Sequence, residues 1–171
     1  MRPSNPPIDH VDRKTGYRME TRPERPTDDA TVIVLAFSGG GTRAAAYSYG
    51  VLEELNRIEI QLPDGKRTRL IDQVDVITGV SGGSFTALAY ALYGDKLFAD
   101  YESRFLKRDV QGDLVTRVLS PLNWPSLSSE GFGRSEMAAN LYDEILFNGA
   151  TFGDLVKVPG PLVLSPVTLN N

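Results

Sequence analysis

A serine stands among glycines in the segment Gly79-Val80-Ser81-Gly82-Gly83, and residues of these types at this spacing can do nucleophilic chemistry. The spacing Gly-x-Ser-x-Gly is typical of a nucleophile elbow, a sharp strand-to-helix turn that projects the serine hydroxyl above a sheet edge. An apolar strand pattern directly before the segment and an apolar helical pattern directly after it favour this interpretation over a tight turn with a capping serine. We therefore predict that Ser81 is a nucleophile, in an elbow formed with Gly79, Gly82 and Gly83.

A second glycine-rich turn, Gly39-Gly40-Gly41-Thr42-Arg43, also lies between a predicted strand and a predicted helix. Consecutive glycines leave backbone N–H groups unobstructed, and the start of a helix directs several of them to one point. Such a site can bind an anion, and an oxyanion hole is one use of it. We predict that Gly39, Gly40 and Gly41 form this site, with Arg43 either supporting it or simply solvated.

The same turn has a rival interpretation as a dinucleotide-binding turn. Gly39-x-Gly41-x-x-Ala44 matches the dinucleotide fingerprint in a strand–turn–helix setting. The acidic residue wanted about twenty positions later would be Glu59 or Asp64. Asp64 lies in a Pro-Asp-Gly turn rather than at the end of a clear strand, and the serine elbow is left unexplained. A dinucleotide-binding α/β domain therefore remains the alternative function.

Both turns must be positioned by strands that alternate with helices. Tyr47, Val51 and Leu55 recur at every fourth residue and predict the buried face of the first helix. The helix after the elbow is apolar on every side apart from Thr86, which is typical of a helix buried between layers. The predicted strands are 31–37, 74–78 and 161–167, and a hairpin or loop covers 60–69. The helix after the elbow is predicted at 84–93 and another at 135–147. Thr151 and Asp154 form a predicted capping box that begins a last short helix.

This alternation predicts an α/β fold with a mostly parallel sheet and helices on both faces. Three strands make a narrow sheet whose last strand falls close to residue 171, so we expect the sheet to be incomplete at the C-terminal end of this sequence. Residues 1–30 carry five of the eleven prolines and few large apolar side chains. They predict an extended or disordered lead; the alternative is that this segment lies across the body, held by Ile8, Val11 and Tyr17. The folded domain is expected at 31–171.

Composition excludes several classes of protein. The 171 residues, 41% of them hydrophobic, suit one globular domain. The absence of cysteine excludes a disulfide scaffold and thiolate metal sites. A net charge of −4 argues against a nucleic-acid partner. No segment has the pattern of a signal peptide or a membrane span, so the location stays open between the cytoplasm and export through a leader outside this sequence.

Taken together, the two turns resemble those of the patatin-like phospholipase family, whose domain has a Gly-Gly-Gly-x-Arg loop followed by a serine elbow. The resemblance covers residues 31–167. Similar flanking segments are Val34-Leu35-Ala36-Phe37-Ser38, Tyr49-Gly50-Val51-Leu52, Asp75-Val76-Ile77 and Thr151-Phe152-Gly153-Asp154-Leu155.

The resemblance implies a lipid acyl hydrolase that cleaves esters with Ser81 as nucleophile and the amides around Gly40 and Gly41 as oxyanion hole. It implies a lipid or ester substrate, is compatible with peripheral contact with a membrane, and implies no metal and no organic cofactor. Head-group preference, acyl-chain preference and oligomeric state are not encoded in any pattern that we recognise.

The sequence departs from the family pattern at two points. Ala44 follows Arg43 where the family usually has glycine, and we expect little consequence from this small residue. The family's general base is an aspartate in a later Asp-Gly-Gly or Asp-Gly-Ala motif, and no such motif follows Ser81. His10, the one histidine, lies in the proline-rich lead and is a poor candidate for a triad. We therefore expect the dyad aspartate beyond residue 171, and a non-catalytic fragment is a further alternative.

Overall fold

The structure is a computed structural model that describes residues 9–25, 31–119 and 134–165. Its main feature is a parallel sheet of three strands. The strands are β1 (Ile33–Phe37), β4 (Val74–Gly79) and β5 (Leu162–Leu164), in the spatial order β1-β4-β5, and a separate antiparallel hairpin is formed by β2 (Glu59–Gln61) and β3 (Arg67–Arg69).

Six helices accompany the sheet in the part of the chain that the structure describes. They are α1 (Gly41–Arg57), α2 (Gly82–Tyr93), α3 (Leu97–Tyr101), α4 (Val110–Leu119), α5 (Arg134–Tyr142) and α6 (Phe152–Lys157). Both α3 and α5 continue into a wider π-helical turn, at Glu102–Leu106 and Asp143–Phe147. The predicted capping box opens α6, because the Thr151 amide and hydroxyl both donate to the Asp154 carboxylate.

The α/β class with a mostly parallel sheet is confirmed. In the register, Phe37 lies beside Gly79 at the carboxyl ends of β1 and β4. Helix α2 packs against one face of this sheet, where it contacts all three parallel strands. On that face Phe37, Ile77 and Val163 are buried in the core. The opposite face is open within the described residues, where Val34 is 54% and Leu164 55% exposed.

Helix α2 lies at the centre of the fold, between the sheet and α1. Nine of its twelve residues are buried, as its apolar sequence predicts, and it contacts all three parallel strands. The helix begins at the elbow and ends at Gly94, which has a φ of 55°. Because α2 is buried on every side, the position of its first turn depends on its neighbours.

The predicted buried face of α1 is wrong at Tyr47, whereas Val51 and Leu55 pack against the core as partly buried side chains and the neighbouring Leu52 is fully buried. Tyr47 is 77% exposed, whereas Tyr49 is 4% exposed and contacts the rings of Phe98 and Tyr101. The buried residues of α1 are Ala45, Ser48, Tyr49 and Leu52. These residues recur at intervals of three and four positions, and Tyr47, Val51 and Leu55 recur at intervals of four, so helical periodicity alone allows either tyrosine to be the buried one.

The described part of the lead contacts the end of the sheet at which the parallel strands begin. The Val163 amide donates to the Tyr17 hydroxyl at 2.8 Å, and the Tyr17 ring lies 5.7 Å from that of Phe152. Burial raises the pKa of Tyr17, so the hydroxyl stays protonated. Arg25 donates to the carbonyl oxygens of Asp72, at 2.7 Å, and of Val74, the first residue of β4. Ile8 lies outside the described residues.

Candidate active site

Ser81 lies in a sharp turn between the end of β4 and the start of α2. Its φ is 50° and its ψ −120°, a conformation that costs a non-glycine residue about 1–3 kcal/mol unless neighbours impose it. Within the described residues the other non-glycine residue with a positive φ is Asn148, a residue type that tolerates the left-handed region at a helix end. The Val80 amide donates to the Phe37 carbonyl at 3.1 Å and the Ser84 amide to the Ser81 carbonyl at 2.9 Å. These bonds hold the exposed serine in a strained strand-to-helix turn, the geometry that the elbow pattern predicts.

The glycines of the elbow are required by close approach rather than by a positive φ. A Cβ at Gly79 would lie 2.8 Å from the Ser84 backbone. At Gly82 it would lie 2.0 Å from the Gly41 carbonyl oxygen, and at Gly83 2.7 Å from the Ser38 carbonyl oxygen. The predicted roles of the three glycines therefore rest on the backbone segments that press against them, and two of those segments belong to the other glycine-rich turn.

The glycine-rich loop lies directly beside Ser81. Gly40 and Gly41 have φ values of 138° and 65°, which favour glycine, and Gly40 caps the start of α1. A Cβ built on Gly39 would be 3.4 Å from the Ser81 Cβ. Arg43 is exposed in the first turn of α1.

The parallel pairing of β1 and β4 brings the two turns together. Each strand ends at the same sheet edge and is followed by a helix, so the N-termini of α1 and α2 converge beside Ser81. Unpaired amides and the helix dipole make each terminus favourable for negative charge. A carbonyl under attack by Ser81 would develop its negative charge in this environment, which is the requirement for an oxyanion hole.

The aspartates that follow Ser81 are engaged in local structure. Asp75, which precedes Ser81 on β4, accepts a hydrogen bond from the Ile33 amide at 2.9 Å. The later carboxylates bind as follows: Asp95 to Arg69, Asp100 to Arg104, Asp109 to the Gly112 amide, Asp113 to Arg108, Asp143 to the Gly149 amide and Asp154 to Thr151. His10 is exposed. None of these contacts is with Ser81, so none of them identifies a general base for its hydroxyl.

The geometry also gives no support to dinucleotide binding. Glu59 lies on the hairpin strand β2, where its carboxylate pairs with Arg67 at 2.9 Å. Asp64 accepts the Lys66 amide in the hairpin turn. Neither carboxylate ends a strand of the parallel sheet, where a ribose would be bound.

The order of the two turns and their meeting at one sheet edge agree with the comparison to known families. Residues 35–169, well over half of the chain, match the sequence model of the family described as patatin-like phospholipase. The chain belongs to the patatin-like phospholipase family. The match includes both glycine-rich turns and the described part of β5.

A solved structure of human GIVD cytosolic phospholipase A2, in complex with methyl gamma-linolenyl fluorophosphonate and terbium chloride, is similar to this chain at 19% identity and a TM-score of 0.39. The similarity covers 91% of this chain and 23% of that one, so this patatin-like chain spans about a quarter of the length of its structural relative. No curated protein sequence matches it.

Two properties bear on ligands of this patatin-like chain. Among the described residues, no three histidine, aspartate or glutamate side chains are grouped so that they could hold a metal ion. No described helix combines the length and apolarity needed to cross a membrane.

Sequence reasoning did not predict the buried polar contacts of α2 that follow the turn at Ser81. Thr86 is fully buried, and its hydroxyl contacts the Ala45 carbonyl and the Tyr101 hydroxyl. Two residues earlier on α2, the buried Ser84 hydroxyl has no hydrogen-bond partner among the described residues. The signal for Thr86 was present in the sequence, since it is the polar exception on an otherwise apolar helix.

Proposed function

We propose that this protein is a serine-dependent lipid acyl hydrolase, with Ser81 as nucleophile and the amides of the Gly39–Gly41 loop as oxyanion hole. The observation that carries the proposal is the strained conformation of Ser81 directly beside that loop, where a Cβ on Gly39 would lie 3.4 Å from the Ser81 Cβ. Strain at an exposed serine is expected where the turn has a function, because a capping serine needs no positive φ. Membership in a phospholipase family supports lipid acyl esters as the substrate class.

The reaction begins with a bond between the Ser81 oxygen and the acyl carbonyl carbon. The carbonyl π electrons move onto the carbonyl oxygen, and the serine proton passes to a general base. Collapse of the tetrahedral intermediate expels the alcohol, which takes up that proton, and water then releases the fatty acid by the same steps. Each oxyanion donor is worth about 2.7–4 kcal/mol of transition-state stabilisation in such reactions.

The general base is proposed to be an aspartate outside residues 1–171. Support for this comes from the family pattern of a Ser–Asp dyad, from the absence of an Asp-Gly-Gly or Asp-Gly-Ala motif after Ser81, and from the local bonds of the described aspartates. A serine without a base is a weak nucleophile at neutral pH. Reaction with an activated phosphonate is therefore a better first test than ester turnover.

The test is labelling of the full-length protein, which includes the proposed aspartate, with an alkyl fluorophosphonate, which forms a phosphorus–oxygen bond to an activated serine and releases fluoride. We expect mass spectrometry to find the adduct on the peptide that contains Ser81, and Ser81→Ala to abolish it. Ser84→Ala is the matched control, since it removes a buried hydroxyl three residues away, and it should label like the wild type. Labelling that survives Ser81→Ala, or a folded wild type that is not labelled, would refute the assignment.

A further inference from the structure

We propose that Thr86 is a positioning residue: its hydroxyl ties α2 to α1 and thereby sets the distance between the nucleophile and the glycine-rich loop. This inference rests on the proposed function, because it concerns the geometry of that same site. The hydroxyl of Thr86 bonds to neither Ser81 nor the glycine-rich loop; it acts through α2, which follows Ser81, and α1, which follows the loop.

The contacts of Thr86 link three helices at one buried point. Its hydroxyl donates to the Ala45 carbonyl of α1 at 3.0 Å and lies 2.8 Å from the Tyr101 hydroxyl of α3. Thr86, Ala45 and Tyr101 are each fully buried. A buried polar group without a partner loses its hydration and gains nothing in return. Removing this one hydroxyl would leave the Tyr101 hydroxyl without its partner in α2 and would remove the hydrogen bond that joins α2 to the Ala45 carbonyl of α1.

The link lies at the same depth in both helices. Thr86 is the fifth residue after Ser81, the cap of α2, and Ala45 is the fifth after Gly40, the cap of α1. At a rise of about 1.5 Å per residue, each cap is about 7.5 Å along its helix from the link. A change in the separation or tilt of the helices at Thr86 is therefore passed to the two caps together.

The caps themselves have no room for such a change. Gly82 and Gly41 approach so closely that a Cβ on Gly82 would lie 2.0 Å from the Gly41 carbonyl oxygen, and a Cβ on Gly39 would lie 3.4 Å from the Ser81 Cβ. This contact has no side chains that could adjust to a shift of either backbone. The spacing of nucleophile and anion site consequently depends on what holds α1 and α2 together further along, and Thr86 supplies the polar bond there.

The test compares Thr86→Val, which keeps the shape and removes the hydroxyl, with Thr86→Ser, which keeps the hydroxyl. The measurement is the rate of Ser81 labelling by an alkyl fluorophosphonate, separated into the maximal rate and the concentration that gives half of it. We expect Thr86→Val to lower the maximal rate about tenfold or more, since a displacement of about 1 Å can cost a hundredfold. The half-saturating concentration should change little, and Thr86→Ser should stay within about threefold of the wild type.

A general loss of stability has to be distinguished from a loss of positioning. Leu155→Ala removes a buried side chain from α6, and at a temperature where it is as fully folded as Thr86→Val it should label at the wild-type rate. If Thr86→Val does not fold, Thr86→Cys replaces it, because a thiol is a weak donor; Thr86→Cys should then label more slowly than Thr86→Ser.

The outcomes separate this inference from the proposed function. If the wild type is labelled at Ser81 and Thr86→Val is labelled at the same rate, the positioning role alone is overturned. The same holds if Leu155→Ala is labelled as slowly as Thr86→Val. Equal rates for Thr86→Cys and Thr86→Ser overturn it as well. A folded wild type that does not label contradicts the proposed function, and the positioning role falls with it.

Discussion

At the scale of single residues, the site depends on which atoms press against which. Ser81 carries a side chain in a backbone conformation that favours glycine, while Gly79, Gly82 and Gly83 have ordinary φ values and lack side chains because other backbone fills that space. The elbow pattern predicted the glycines. It also predicted a strained turn at the serine, but not which backbone segments lie against each glycine, because two of those segments are distant in sequence.

Gly82→Ala should disrupt the site and the fold together. Its methyl group would meet the Gly41 carbonyl oxygen at 2.0 Å, and backbone cannot move aside as a flexible side chain can. We expect the free energy of unfolding, measured by urea denaturation, to fall by about 3 kcal/mol or more, with fluorophosphonate labelling lost.

Gly50→Ala is the matched control for that substitution. Gly50 lies within α1, and a Cβ there would meet no atom within 4 Å. Alanine should therefore stabilise the helix by about 0.5–1 kcal/mol. Equal effects of the two substitutions would contradict the close approach of Gly82 to Gly41.

At the scale of elements, local signals predicted where helices and strands begin and end. The Thr151–Asp154 capping box and the strands before both turns follow from residues adjacent in sequence, and they are present. Local signals did not predict which tyrosine of α1 is buried. Tyr47 and Tyr49 both fit a 3.6-residue period, and the choice between them is made by the rings of Phe98 and Tyr101, which contact Tyr49 from another helix.

The capping box of α6 predicts a pH dependence at the same scale. Hydrogen bonds from Thr151, and a further one from Lys157, lower the pKa of Asp154 below its usual range near about 4. The charged form is favoured in the folded state, so its contribution is present above the unfolded pKa and is lost as pH falls through the folded one. We expect Asp154→Asn to be less stable than the wild type at pH 7, and the difference to close below about pH 4.

The measurement for this prediction is the urea midpoint of both proteins between pH 7 and pH 3. Asp9→Asn, an exposed position in the lead, controls for the loss of one negative charge. A difference between wild type and Asp154→Asn that stays constant down to pH 3 would show that the carboxylate charge does not stabilise α6.

At the scale of the whole molecule, hydrogen bonds connect the described part of the lead to the parallel sheet. Arg25 donates to two carbonyl oxygens at the start of β4, the strand that carries Ser81 at its other end, and Tyr17 accepts from Val163 of β5. These bonds join residues more than forty positions apart in sequence. The Arg25 bonds lie at the opposite end of β4 from Ser81, and the Tyr17 bond reaches the middle of β5, so we expect them to contribute to stability.

Arg25→Ala should lower the free energy of unfolding by about 1.5–3 kcal/mol, the usual range for bonds that involve a charged group. Arg18→Ala is the matched control, because the Arg18 guanidinium binds the Thr15 carbonyl within the lead itself. That variant should lose less than about 0.5 kcal/mol. Thermal or urea unfolding of the three proteins provides the measurement, and equal stability of Arg25→Ala and the wild type would show that the lead does not support the sheet.

The sequence by itself determined the α/β class, the order of the strands and helices, the two glycine-rich turns and the resemblance to patatin-like phospholipases. These features follow from local periodicity, from caps and from short motifs, which depend on residues near one another in the chain. Only the tertiary structure decided that Tyr49 rather than Tyr47 is buried, that Gly41 presses against Gly82, and that Thr86 joins α1 to α2. Each of these depends on which surfaces meet once the parallel strands have paired, and a hydrophobic pattern fixes the period of a helix without naming the partner that its face will contact.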